Sequence, residues 1–390
     1  MGRFYSIGMV KMKVTVSIDS FKGSLSTFQA GKAVEEGIKR VYKDADVYIC
    51  PLSDGGEGTT ETIISMTDGE MVEVAVHNPL GKIINACYGI IPDKKTAVIE
   101  MSAASGITLI GDEERNPLYT TTYGVGELIC DAISKGCRNF IIGIGGSATN
   151  DGGVGMLQAL GFQFSDSENN QAQWGAQGLK DIVSICTENA IKELSECSFR
   201  VACDVTNPLC GENGCSRIYG PQKGATEVMI NDMDEWLKSF GELTKKVIPD
   251  ADMNIPGSGA AGGLGFALMS YLNATLESGV DLVIRETKLE NYIKNSDIVI
   301  TGEGRLDGQS SMGKAPVGVA KIAKKYNKKT IAFSGCIGDG AQKCNENGID
   351  AFFPILKAPC TLGEAMDSDN AYKNLSDTAQ QVFNLIKSFN

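Results

Sequence analysis

The stretch Ser296–Ala320, SDIVITGEGRLDGQSSMGKAPVGVA, decides the fold. Asp297–Thr301 is a short apolar run rich in β-branched residues, which predicts a buried strand. A polar loop is expected next, with Glu303, Arg305 and Asp307 set among Gly302, Gly304, Gly308 and Gly313. From Ala315 to Tyr326 the residues Val317, Ala320, Ile322 and Ala323 recur at helical spacing. Pro316 suits a first helical turn, where its missing N–H costs little. Strand, glycine loop and lysine-led helix make a phosphate-binding plan: bare backbone N–H groups and the helix dipole attract an anion, and the lysine adds charge. Gly308–Ala315, G-x-x-x-x-G-K-A, is one letter short of a Walker loop. The missing Ser/Thr is the residue that would hold Mg²⁺, so any metal here falls to carboxylates. The plain alternative is a surface loop ahead of an amphipathic helix. Several charges packed between glycines weigh against it.

Outward from that stretch the pattern repeats. A strand at 330–334, a helix at 340–347, a strand at 350–356 and a last helix from about Asp369 follow it. At the other end Val14–Ile18 reads as a strand, followed by the polar loop Asp19–Ser24. Ser26 and Gln29 form a capping box for a helix with Phe28, Val34, Ile38 and Val41 on one side. Asp46–Leu52 is a second strand, and it runs into the acidic glycine turn Ser53–Thr59. The texture changes near Gly69. Met71–His77, Ile83–Ile91 and Ala97–Met101 alternate like antiparallel hairpin strands. A helix at Tyr123–Ser134, a buried strand at Asn139–Ile144, a strand at Phe199–Cys203 and a long helix at Glu227–Val247 follow, with glycine-rich turns at 143–153 and 257–265. The simplest architecture is a discontinuous α/β domain, 12–70 plus 290–390. An inserted mixed α+β domain occupies 71–289, and the active site is expected in the cleft between them.

The totals narrow the function. The 390 residues suffice for two or three domains, and the net charge of −12 with no basic stripe excludes nucleic acid as a natural partner. An anionic substrate must be drawn by local cations. No run is apolar and long enough to cross a bilayer. Met1–Lys13 carries no secretory signal, so a cytoplasmic setting is expected, with Met12 as a candidate start. The 12 cysteines are scattered and read as free thiols; Cys203, Cys210 and Cys215 fit no zinc spacing.

His77 is the only histidine, on a hairpin strand, and it reads as structural. That removes histidine triads and histidine metal sites. Asp, Glu, Lys, Arg, Ser, Thr and Asn remain in the glycine loops, a set that suits phosphoryl transfer: cations and amides for phosphate, carboxylates for Mg²⁺, an Asp to take a proton. A rival reading comes from Gly143-x-Gly145-x-x-Ala148, which follows a strand and has Asp166 about twenty residues on. It imitates a dinucleotide fingerprint and would make an NAD-dependent 2-hydroxy-acid dehydrogenase. Asn150–Gly153 stands where that helix should begin, and an Asp there would face a pyrophosphate. A non-catalytic anion sensor is a third reading, set against the number of polar loop residues.

IDSFKGSLS, LSDGGEGT, GIGGSATNDGG, VACDVTNPLCGENGCSRIYGPQKGA and TGEGRLDGQSSMGKAP, in this order, resemble the bacterial glycerate kinase family of the sugar-acid catabolic type. The resemblance runs from about Met12 to the C-terminus. It implies a Rossmann/flavodoxin-like domain with an inserted one, and ATP-dependent, Mg²⁺-requiring phosphorylation of D-glycerate. The expected product is 2-phosphoglycerate, with 3-phosphoglycerate as the alternative; a homodimer is one possible assembly. Residue roles are our own reading. Asp204 is the expected base or a partner of the metal, with Asp19 and Asp54 as rivals, and Lys22 and Lys314 are the phosphate cations. Arg305 or Arg217, with Asn207, should hold the substrate carboxylate. Gly145, Gly146, Ser147, Thr149 and Gly313 should line the nucleotide phosphates, and Glu303 and Asp307 are the Mg²⁺ candidates.

Overall fold

A computed structural model describes residues 11–389. The segment before Met12, apart from Lys11, lies outside the described residues. The chain divides into two compact units, Met1–Asp54 with Val283–Asn390, and Gly55–Leu282. It passes from the second back to the first within the helix Gly279–Glu286.

The first unit is built on a five-stranded parallel sheet. Its spatial order is Ala351–Pro354, Lys329–Ile337, Ile298–Leu306, Lys13–Ile18, Asp46–Ile49. The chain moves outward from Lys13–Ile18 in one direction and returns on its other side at Ile298–Leu306. The sheet therefore has a topological switch point between these two strands, where ligands bind in open α/β sheets. Val14, Val16 and Ile18 face a core shared with the helices Thr27–Val41 and Ser368–Ser388. Gly37 lets those two helices meet closely, because a Cβ there would lie 2.3 Å from the Ser376 carbonyl oxygen. The opposite face buries Leu306, Ala332 and Ile349 under Val317 and Ala320 of the helix Ala315–Lys325. The capping box forms as predicted: Gln29 N–H donates to Ser26 Oγ at 3.2 Å, and Ser26 N–H to Gln29 Oε1 at 2.9 Å.

One strand is longer than its apolar run. Ile298–Leu306 continues past Thr301, and Glu303, Arg305 and Leu306 pair with Ser334, Cys336 and Ile337. The expected polar loop is thus half strand. The sheet supplies hydrogen bonds that the glycines and charges do not advertise, and tertiary pairing overrides local preference. The helix expected at 340–347 is a single turn, Lys343–Glu346.

The second unit holds a six-stranded mixed sheet in the order Thr275–Glu277, Ser198–Ala202, Asn139–Gly143, Thr96–Glu100, Ile83–Ile91, Glu70–His77. The last two strands form the antiparallel edge that the alternation predicts, and the other four are parallel to one another. Its core includes Phe140 stacked on Phe199 and the cluster Phe164, Phe240, Phe266 and Tyr271. Residues 55–70, placed by the sequence reading in the outer domain, group here. Their helix, Thr59–Ser65, packs on the strands Ile83–Ile91 and Thr96–Glu100, and Glu100 accepts N–H bonds from Gly58 and Thr60 at its start.

Candidate functional site

In the first unit a cavity of about 440 Å³ lies at the carboxyl ends of the parallel strands. Over the switch point its lining is charged, with Asp19, Lys22, Asp54, Glu303, Arg305, Asp307 and Lys314. Towards the edge strand Ala351–Pro354 the lining turns apolar, with Ile355, Leu356, Leu362 and Met366.

Asp19 follows the last residue of its strand, and its N–H donates to the Gly302 carbonyl of the neighbouring strand at 2.9 Å. Its side chain is buried and accepts the Ser20 N–H at 2.7 Å. Burial, followed by the nearby charge of Asp54 and then, more weakly, Glu303, pushes its carboxyl up to about 7; the Ser20 N–H and Lys22 oppose the shift. Lys22, largely exposed, reaches Asp54 at 3.4 Å. Glu303 is also held above the usual carboxylate range, first by burial and then by Asp307 and Asp54, against a hydrogen bond from Ser310 and the charge of Lys314. Its Oε1 is buried with no hydrogen-bond partner.

Asp307 is more committed. Its Oδ1 accepts N–H bonds from Gln309 and Ser310, and its Oδ2 lies 3.4 Å from Arg305 Nε. It holds the turn that starts the loop, the common work of an Asp in this position. Arg305 is two-thirds exposed. Gly313 takes a left-handed φ of 111° just before Lys314, which is the N-cap of the helix Ala315–Lys325. No side chain caps that helix end, and Lys314 Nζ donates to Gln309 Oε1 at 3.3 Å. The strand, loop and helix of the phosphate plan are therefore all present, with Pro316 in the first turn.

The second unit gathers a different set. Gly143, the last residue of Asn139–Gly143, and Gly145 just beyond it lie against the 55–58 turn. A Cβ on Gly143 would sit 2.5 Å from the Gly55 carbonyl oxygen, and one on Gly145 would sit 3.1 Å from Gly56 Cα. The glycines admit that turn. The next helix, Val154–Ala159, starts well downstream and is short, so the dinucleotide fingerprint is not realised. Asp151 is fully buried and accepts bonds from Thr122 N–H and Oγ1 at 2.8 Å and from the N–H groups of Gly153 and Gly155, which makes it structural. Gly146 is exposed, Ser147 nearly buried, and Thr149 fully buried with its hydroxyl unpartnered.

Lys223 is a buried lysine under the same loop. It is 2% exposed and donates to Ser147 Oγ at 2.8 Å and to the Thr149 carbonyl at 2.6 Å. Burial pulls its ammonium down to about 8. In the sequence it stands in the GPQKGA run, and nothing local there marks it as buried. Asp204, exposed at the end of Ser198–Ala202, accepts the Gly279 N–H at 3.1 Å. Asn207 accepts from Tyr219 and donates to the Asn213 carbonyl, so it ties its own loop together. Arg217 lies 4.0 Å from Asp234, which in turn accepts the Gly211 N–H. His77 bonds Glu127 at 2.8 Å and packs edge-on against Tyr123 and Trp174, as a structural histidine does. Cys203, Cys210 and Cys215 are free thiols. Among the described residues no three His, Cys, Asp or Glu side chains gather as a metal site, and no helix is long and apolar enough to cross a membrane.

A parallel sheet with an uncapped helix end, two lysines and a buried carboxylate at its switch point is an α/β arrangement suited to phosphate-bearing ligands. The glycerate kinase family model matches residues 14–387. The chain is 46% identical over 371 residues to Glycerate 2-kinase of Escherichia coli K12, covering 95% of this chain and 97% of that one. It is 42% identical over 376 residues to Glycerate kinase of Bacillus subtilis 168, covering 96% and 98%. A crystal structure from Salmonella typhimurium LT2, assigned to glycerate kinase 2, superposes with a TM-score of 0.87 at 43% identity, covering 97% of this chain and 99% of that one. The chain belongs to the glycerate kinase family.

Proposed function

We propose that this protein transfers the γ-phosphoryl group of ATP to D-glycerate, at the 2-hydroxyl. Family membership supports the reaction, and the name of the E. coli relative supports the position. The single observation that carries the chemistry is Asp19: a buried carboxyl held near neutrality beside Lys22 at the sheet's switch point. A base works best when its pKa lies near the working pH. In this reading Asp19 takes the proton of the attacking hydroxyl, whose oxygen bonds to the γ-phosphorus while the bridging oxygen leaves with ADP. Lys22 and Lys314 offset the negative charge on the phosphates, and placement and charge neutralisation supply most of the acceleration. Asp204 is the rival base: turnover that survives Asp19→Asn but not Asp204→Asn would move the role there.

Mg²⁺ is usually held by one or two carboxylates together with substrate phosphates, so a three-residue cluster is not required. Glu303 fits that role, having a buried oxygen with no protein partner; Asp307 is second to it because its oxygens hold the turn. When bound, the ion would neutralise phosphate charge. Arg305, exposed and only loosely paired, is favoured over Arg217 for the glycerate carboxylate. Asn207, tied up in its own loop, is set aside. In the second unit's loop, Gly145 and Gly146 are exposed and the members best suited to phosphate; Ser147 and Thr149 are buried and better explained by packing.

The test is ADP release with D-glycerate and MgATP, followed by NMR of the product. A 2-phospho ester is expected. A 3-phospho ester would correct the regiochemistry, and reduction of NAD with no ADP formed would overturn the kinase reading.

A further inference from the structure

The cavity of the first unit is more apolar than its charged end requires. Leu362 is 79% exposed and Met366 38% exposed, yet both line it, together with the buried Phe21 and Ile355. Leu362 and Met366 belong to the single turn Leu362–Met366, which is fixed in place by a capping box between Thr361 and Glu364. Gly23, at a left-handed φ of 79°, brings the 19–24 loop against this turn: a Cβ there would lie 2.7 Å from the end of Met366. Large exposed apolar side chains at a cavity mouth mark a surface that something covers.

The two substrates of a glycerate kinase differ sharply in what they offer such a surface. Every carbon of glycerate carries oxygen, so it has no apolar face. A nucleotide has one end that is a flat, weakly hydrated ring and another that carries several negative charges. The cavity also has two ends: apolar by the edge strand, and charged at the other, where the cations Lys22 and Lys314 stand among Asp19, Asp54, Glu303 and Asp307. We propose that the nucleotide's purine ring sits at this apolar end, against Phe21, Ile355, Leu362 and Met366, with its phosphates directed to Lys22 and Lys314. The assignment rests on the kinase reading for the identity of the ligand. It places the base entirely in the first unit and gives the second unit's glycine loop no part in holding it.

The experiment is photolabelling of the full-length protein with 8-azido-ATP and Mg²⁺, read by peptide mass spectrometry, alongside kinetics of Leu362→Asp. That residue is exposed, so the substitution leaves the fold intact. We expect label on 19–24 or 355–371. Leu362→Asp should raise the KM for ATP by about tenfold to a hundredfold, the range set by losing an apolar contact of this size. Inhibition by inorganic tripolyphosphate, which has no ring, should be unchanged. Label confined to 143–153, or an unaltered KM for ATP, would overturn the proposal. Glycerate turnover with label confined to 143–153 would sink the base site and leave the kinase reading standing. Label in 355–371 without glycerate turnover would do the reverse.

Discussion

In the proposed reaction Asp19 is the base. Its environment raises the carboxyl from 3.8 to about 7, chiefly by burial, and two consequences follow. For activity, kcat/KM should climb with pH up to about 7 and then level, since the base must be ionised; Asp19→Asn should cut kcat by about a hundredfold or more. A flat profile from pH 5 to 8, or full turnover in the variant, would remove Asp19 from the reaction. For stability the sign is opposite to that of a salt-bridged Asp. Between pH 4 and 7 the folded protein keeps a proton that the unfolded chain has lost, so stability falls as pH rises through this window. Asp19→Asn, which keeps an acceptor for the Ser20 N–H, should therefore gain on the wild type as pH rises from about 4 to 7, with a ceiling of about 1.4 kcal/mol per pH unit. Denaturant melts at several pH values measure it. Asp19, Lys22, Glu303 and Lys314 were legible as candidates because they lie in charged glycine loops. Their ranking was not, since burial and neighbouring charge come from residues far apart in the chain.

At the scale of elements, the glycine runs carry two meanings that look alike on the page. In Gly308–Lys314 they shape a loop ahead of an uncapped helix. In Gly143–Gly153 they let backbone approach backbone, as where a Cβ at Gly143 would lie 2.5 Å from the Gly55 carbonyl oxygen. Gly143→Ala tests the second meaning. The added methyl meets the Gly55 carbonyl, which cannot rotate away, so a loss of about 1–3 kcal/mol is expected, with a lower Tm by calorimetry. An unchanged Tm would mean that the 55–58 turn yields freely. The helices Tyr123–Ser134 and Glu227–Val247 and the strand Ile83–Ile91 have the bounds their periodicity predicts, because each buries one regular face. The short turn Leu362–Met366 escaped notice, for it has no period to read.

At the scale of the molecule, each unit has its own core. Leu375, fully buried in the first unit, gives a test: Leu375→Ala should cost about 2–5 kcal/mol and speed hydrogen exchange in 13–49 and 298–386 more than in 70–277. Equal acceleration throughout would mean that the chain opens as one cooperative body. The discontinuous sheet was foreseeable because β/α alternation at both ends of the chain is a local pattern, written in each segment's own periodicity. The same is true of the family, whose motifs are short and contiguous. Only the tertiary structure decided that residues 55–70 group with the second unit, that Ile298–Leu306 extends as strand through its charged residues, and that Lys223 is buried under Ser147. Those outcomes depend on hydrogen bonds and desolvation between residues distant in the chain, and no local pattern encodes them.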